Sequence, residues 1–179
     1  MLIVLDLEAT CWAQPDLRLK SEIIEIGAVK VDLKTGQIID TFDALIRPTV
    51  NPDLSDYCTN LTGITNDMVR GSEYFWQVYP KFVSWAGAKK NGLIGAWGDY
   101  DSRALRRDVE LHNLDWNLTE RYLNISHFYT LRKGGKKRGL LKAATECGVV
   151  FEGPQHRALS DAMVAAKVFM TLFDCKTLD

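Results

Sequence analysis

Leu2-Ile3-Val4-Leu5-Asp6-Leu7-Glu8-Ala9-Thr10 is the stretch on which the reading of the whole chain turns. β-Branched and aliphatic residues run from its start and two acids interrupt them near its end, the pattern of a buried strand. Side chains alternate faces along a strand, so Asp6 and Glu8 point the same way, about 7 Å apart. Two carboxylates on one face of a buried strand are costly unless a positive charge offsets them. Either the strand ends here and both acids reach water, or something cationic sits on them.

Working outward, Ala13 to Lys20 is polar, carries Pro15 and reads as a loop. Glu22 to Val31 is a second strand, Lys34 to Gln37 a turn, and Ile38 to Ile46 a third strand, a hairpin lying beside the first. Leu54 to Gly71 is short and mixed. Glu73 to Lys90 carries apolar residues at helical steps, with Pro80 predicting a break or kink. Gly92 to Trp97 is a short buried strand, Ser102 to His112 a helix and Tyr122 to Phe128 a fifth strand. Gly139 to Cys147 is a helix stopped by Gly148, and a last helix begins at Gln155 or His156 and runs to about Phe173. Strands lead and helices then alternate with strands. That order predicts an α/β fold, a mixed sheet covered by helices, in one domain over residues 1–179.

A net charge of −1 gives no global basic field, so any polyanion would be met by a local patch. Cys11, Cys58, Cys147 and Cys175 form no Cys-x-x-Cys pair, and no secretory signal is legible. They read as reduced thiols in a soluble cytoplasmic protein. No apolar run approaches the length that spans a bilayer, so no membrane partner is expected.

Three later features belong with Asp6 and Glu8. In Ala96-Trp97-Gly98-Asp99-Tyr100-Asp101 a short strand runs into acids at a helix start. Asp99 suits a plain capping role there, which leaves Asp101 to face the strand end. In His156-Arg157-Ala158-Leu159-Ser160-Asp161, Pro154 sets His156 in the loop before the helix, from where it can lean over the spot that Asp161 addresses. A capping histidine with a solvated aspartate is the alternative. Arg132-Lys133-Gly134-Gly135-Lys136-Lys137-Arg138 is a flexible basic run with no acid before Glu146. It is either solvated surface or a cationic loop suited to a polyanionic substrate.

Four carboxylates converging on one spot cannot all stay ionised alone, because each pair about 5 Å apart costs about 3 kcal/mol at an effective dielectric of about 20. Two divalent cations with a preference for oxygen, Mg2+ or Mn2+, would cancel that repulsion. Zinc is disfavoured, since no Cys/His cluster has ligand spacing. Two such ions roughly 4 Å apart form the clamp used for in-line displacement at phosphorus, and a histidine beside them suits a general base.

Asp6-x-Glu8, Asp101 and His156-x4-Asp161, in that order, resemble the three exonuclease motifs of the DnaQ-like, DEDDh-type 3′–5′ exonucleases, over nearly the whole chain. Asp6-Leu7-Glu8-Ala9-Thr10-Cys11, Leu61-Thr62-Gly63-Ile64-Thr65 and Trp97-Gly98-Asp99-Tyr100-Asp101 resemble the Eri-type group within it, which includes the histone-mRNA exonuclease and KapD-like bacterial proteins. The last alignment makes Asp101, not Asp99, the third acid. The resemblance implies a ribonuclease H-like fold whose five-stranded mixed sheet has its second strand antiparallel. It implies release of nucleoside 5′-monophosphates from a free 3′ end of RNA or single-stranded DNA.

Carried over residue by residue, the resemblance gives Asp6, Glu8 and Asp161 to the first metal, Asp6 also to the second, and Asp101 to metal-bound waters. His156 is the base. Glu8 and the backbone at Ala9 and Thr10 meet the terminal sugar, Leu61 and Ile64 the terminal base, unless these two are simply core. Trp12 either stacks on a base or is a partly buried aromatic, and Lys136, Lys137 and Arg138 face the phosphates. Eri-type eukaryotic proteins often carry an extra nucleic-acid-binding module. None is expected here, so structured-RNA partners are not carried over, and no protein partner is legible. An oligoribonuclease and a 3′–5′ DNA exonuclease share the same five residues. A non-catalytic nucleic-acid-binding module is the alternative of a different class.

Overall fold

The acids of the first strand reach their place because the strand is buried on both faces. The structure, a computed structural model, describes residues 1–14, 20–87 and 92–173. Most of the loop expected at Ala13 to Lys20, the end of the helix expected to reach Lys90, and Cys175 lie outside the described residues. β1 (Leu2–Ala9) pairs antiparallel with β2 (Ile23–Asp32) on one side and parallel with β5 (Leu93–Ala96) on the other. β3 (Gln37–Arg47) lies antiparallel to β2, and β6 (Tyr122–Asn124) parallel to β5. The five core strands are those of the expected mixed sheet, with only β2 reversed. A two-residue strand, β4 (Glu73–Tyr74), adds a sixth at the β3 edge and gives the order β4-β3-β2-β1-β5-β6.

Ile3, Leu5 and Leu7 enter one core with α3 (Phe75–Ala86) and α4 (Tyr100–Leu111), while Leu2 and Val4 enter the other with α7 (Ala158–Leu172). The same alternation carries Asp6 and Glu8 onto the α7 side, where the two-residue period puts them in line with Leu2 and Val4. A strand covered by helices on both faces is almost wholly apolar, which is why two acids in this one mark a site.

Some expectations are corrected. Leu54 to Gly71 holds two short helices, α1 (Asp56–Thr62) and α2 (Asn66–Arg70), started by the Ser55 and Thr65 side chains. Glu73 and Tyr74 belong to β4, and α3 continues through Pro80, with Val78, Tyr79, Phe82 and Val83 buried on both sides of it. The strand expected over Tyr122 to Phe128 stops at Asn124. The Asn124 carboxamide accepts the His127 N–H at 2.9 Å and so starts α5 (Ile125–Lys133), a cap outweighing the β propensity of the residues after it. α6 (Leu140–Glu146) then leads to Gly148, whose positive φ ends it.

Gly27 seats α7. It lies opposite Asp6 on β2, and a Cβ there would fall 2.0 Å from the Leu159 nitrogen and 2.1 Å from the Ala158 carbonyl carbon. Only a hydrogen lets the first turn of α7 rest on the strand. Gly27→Ala is therefore expected to destabilise the protein by about 3 kcal/mol, at the upper end for overpacking. Denaturant unfolding measures it, and a loss under about 1 kcal/mol would contradict backbone contact at this point.

Candidate active site

Five side chains from four parts of the chain meet at the C-terminal end of β1. Asp6 and Glu8 come from β1, Asp101 from the first turn of α4, His156 from the turn before α7 and Asp161 from the first turn of α7. All line one cavity of about 570 Å³, together with Trp97, Tyr100, Lys137 and Arg138. Donor atoms of Glu8, His156 and Asp161 lie within 4.8 Å of one another. A larger cavity of about 640 Å³, between α3 and the segment after α4, is lined by one acid, Asp115, and no histidine. The convergent chemistry is in the smaller one.

Each acid is held by its own element. Asp101 is tied to the middle of β1 by the Leu7 N–H, which donates to its Oδ1 at 3.1 Å. Asp99 stands at the α4 N-cap position without capping it. Its Oδ1 accepts from the Asn124 side chain at 2.8 Å, away from the acid cavity. His156 has φ 58, in the left-handed region that few residues other than glycine adopt. Its ring lies within 4.8 Å of the Asp161 carboxylate, bringing the base candidate to the last acid.

Glu25 and Arg157 are the functional neighbours that the linear sequence hid. Glu25 is opposite Glu8 in the β1–β2 register and almost wholly buried. It accepts two bonds from Arg157 Nε, at 3.0 and 3.2 Å, one from Nη2 at 2.6 Å, and the Ala158 N–H at 2.8 Å. This fork pins the turn bearing His156 and the start of α7 to β2. The only signal in the sequence was an acid in the middle of a buried strand.

Electrostatics mark the same spot. Burial, then Asp101, Asp161 and Glu8, hold the Asp6 carboxyl well above the usual carboxylate range. Burial, then Asp161, Glu25 and Asp101, push Glu8 up to about 8, with Arg157 opposing. Asp101 and Asp161 rise to about 6, both chiefly by burial. Asp161 Oδ1 is buried and has no hydrogen-bond partner among the described residues. Four crowded carboxylates, one with an oxygen left unmatched, fit a divalent cation with oxygen preference.

A pH dependence follows from those shifts. Folded-state values above the ordinary ones mean that folding takes up protons. The stability these groups contribute without metal is full below about pH 4 and is lost as pH rises through 6 toward 8. A bound cation replaces the protons. Saturating Mn2+ should raise the melting temperature by about 5–10 °C at pH 8 and by much less at pH 5. Thermal unfolding at the two pH values checks this, and an equal or absent shift at both would count against a cation held by these acids.

The remaining expected contacts are unevenly placed. Lys137 and Arg138 line the cavity and Lys136 is exposed beyond it. Arg138 is anchored, its Nε 3.1 Å from Glu146 Oε1 and its carbonyl accepting Trp97 Nε1–H at 3.1 Å. That is the one ion pair formed by the basic run among the described residues. Trp12 is half-buried, Leu61 is exposed on α1, and Ala9 is nearly buried. The Thr10 hydroxyl accepts the Glu22 N–H and its own N–H donates to the Glu22 carbonyl, which commits the residue to the strand pair. Ile64 is wholly enclosed among Ile24, Leu54, Cys58 and Val69, so its side chain has no face open to a base.

Known proteins share the sequence family and the fold. The exonuclease family profile RNase_T matches residues 3–169. The 3′–5′ exoribonuclease 1 proteins of Rattus norvegicus and Homo sapiens are each 30% identical over 178 residues, covering 93% of this chain and 51% and 50% of theirs. The chain thus spans about half the length of these curated relatives. The nuclease domain of 3′hExo, a DEDDh family member solved bound to rAMP, superposes with a TM-score of 0.88 at 29% identity, over 94% of this chain and 89% of that one. A 3′-exonuclease solved with the histone mRNA stem-loop gives 0.86 at 27% identity, over 94% and 79%.

Proposed function

This chain belongs to the RNase_T exonuclease family and has its ribonuclease H-like fold, and from that premise we propose that residues 1–179 form a divalent-metal-dependent 3′–5′ exonuclease domain acting on RNA. The observation that carries the proposal is the meeting of Glu8, His156 and Asp161 within 4.8 Å, in the cavity that Asp6 and Asp101 also line. A free cation of the basic run, Lys137, stands at its rim.

Asp6, Glu8, Asp101 and Asp161 would hold the cations, Mg2+ or Mn2+, in a pair. When bound, the ions supply charge neutralisation and water activation for in-line displacement at phosphorus. His156 takes the proton from the attacking water. The water oxygen bonds to phosphorus, the bond to the 3′ oxygen of the preceding nucleotide breaks, that oxygen takes a proton from solvent to become the new 3′ hydroxyl, and a nucleoside 5′-monophosphate leaves. Lys137 and Arg138, with Lys136 outside, draw the phosphates in. Glu8 and the chain at Ala9 bear on the terminal sugar, with Thr10 holding that stretch in place through Glu22. Leu61 meets the terminal base and Trp12 a neighbouring one, while Ile64 supports α1 from beneath.

The basic run favours strands longer than a dinucleotide. No described helix is long and apolar enough to cross a membrane, and the free thiols of Cys11, Cys58 and Cys147 suit a cytoplasmic setting. Matched RNA and DNA of one sequence, from two to about twenty nucleotides, test the substrate. The longer RNAs are expected to be degraded fastest. Fastest cleavage of the dinucleotide would make the protein an oligoribonuclease, and a clear preference for DNA would make it a DNA exonuclease.

A further inference from the structure

Beside the acidic cavity lies another of about 470 Å³, at the start of α4 and over the first two turns of α5. It is lined by Asp99, Asn124, Ser126, His127, Thr130 and Lys137. Lys137 lines both cavities, so they adjoin. Every lining residue carries a polar or charged side chain, and the interior of the group is already organised. The Asn124 carboxamide accepts the His127 N–H at 2.9 Å and donates to Asp99 Oδ1 at 2.8 Å. His127 is exposed, and Lys137 has no carboxylate partner among the described residues. Ser126, in the lining, is fully buried, and its Oγ has no hydrogen-bond partner among the described residues. Buried hydroxyls are nearly always matched, so this one marks unused bonding capacity. The N-terminus of the nine-residue α5 adds the positive end of its dipole.

Sheet order decides what part of a ligand reaches this place. β1 has β2 on one side and β5 and β6 on the other. α1, with Leu61, packs over Ile24 of β2 and Leu45 of β3. The second cavity lies at the end of β6, two strand spacings or about 10 Å from β1 in the opposite direction. For a chain whose last nucleotide sits between Glu8 and α1, the β5–β6 side, past Lys137, is the direction away from α1.

We infer that this cavity is a subsite for the sugar–phosphate of the nucleotides upstream of the scissile bond. Lys137 and His127 take a phosphate oxygen there, and Asp99 serves the sugar hydroxyls. The inference rests on the exonuclease reading and adds to it how longer strands are held.

His127→Ala and His127→Glu test it at an exposed position that does not line the acidic cavity. Both variants are assayed with Mn2+ against a dinucleotide and a ten-nucleotide RNA, with melting temperatures measured alongside. Dinucleotide turnover should stay within twofold of the unsubstituted protein. KM for the longer RNA should rise about five- to tenfold in His127→Ala, the net contribution of one solvent-exposed hydrogen bond. It should rise further in His127→Glu, most strongly at low salt. An unchanged KM in both variants, or equal losses on both substrates, would overturn the subsite. If the unsubstituted protein cleaves neither RNA, the exonuclease reading itself fails. If it cleaves both and the variants match it, only the subsite fails.

Discussion

Asp6→Asn is expected to slow nucleotide release by roughly 10³-fold or more, in the range for losing a group set against charge developing in the transition state. The amide keeps the shape of the carboxylate and removes its charge at the point where burial and four neighbouring acids already disfavour it. The same change should raise the melting temperature of the metal-free protein at pH 8 while shrinking the gain from Mn2+. Those opposite signs separate a ligand from a packing residue, since a packing residue would lose stability under both conditions. Steady-state release from single-stranded RNA reads the first effect and thermal unfolding the second. More than a tenth of the activity surviving would remove Asp6 from the metal assignment.

His156→Ala is expected to lower kcat by about 10² to 10⁴-fold, the usual contribution of a positioned base, with RNA affinity changed only a few-fold. The backbone complicates this substitution, because φ is 58 at His156. His156→Asn is the companion variant. Asparagine adopts the left-handed region readily and has no imidazole to accept a proton. The two variants should therefore be equally slow, while His156→Asn keeps the Mn2+-induced rise in melting temperature. Equal losses of binding and turnover in both would mean that His156 orders the site rather than moving a proton.

The parts of the site legible in the sequence are those written in local periodicity. Alternation along Leu2 to Glu8 put two acids on one face, and that face is the one α7 covers. Pro154 ahead of His156 set the histidine in the turn before α7. What stayed hidden depends on register between strands distant in sequence. Glu25 meets Arg157 across 132 positions, and nothing near either residue announces the other. Gly27 reads as an ordinary strand glycine until α7 is laid 2.0 Å from its missing Cβ. Asn124 was legible in principle as a cap, yet the Tyr, Leu, Ile and Phe around it spoke for a strand. The hydrogen bonds of Thr10 and the burial of Ile64 turn both inward, and for Ile64 that is the core alternative.

As proposed, these acids and His156 hydrolyse a polynucleotide from its 3′ end with the help of divalent ions. A time course on 5′-labelled single-stranded RNA with Mg2+ or Mn2+, beside an EDTA control, tests it most directly. The account predicts a ladder of labelled products shortening one nucleotide at a time from the 3′ end, absent in EDTA. RNA left intact under every metal condition, or products whose pattern is unchanged by EDTA, would contradict it.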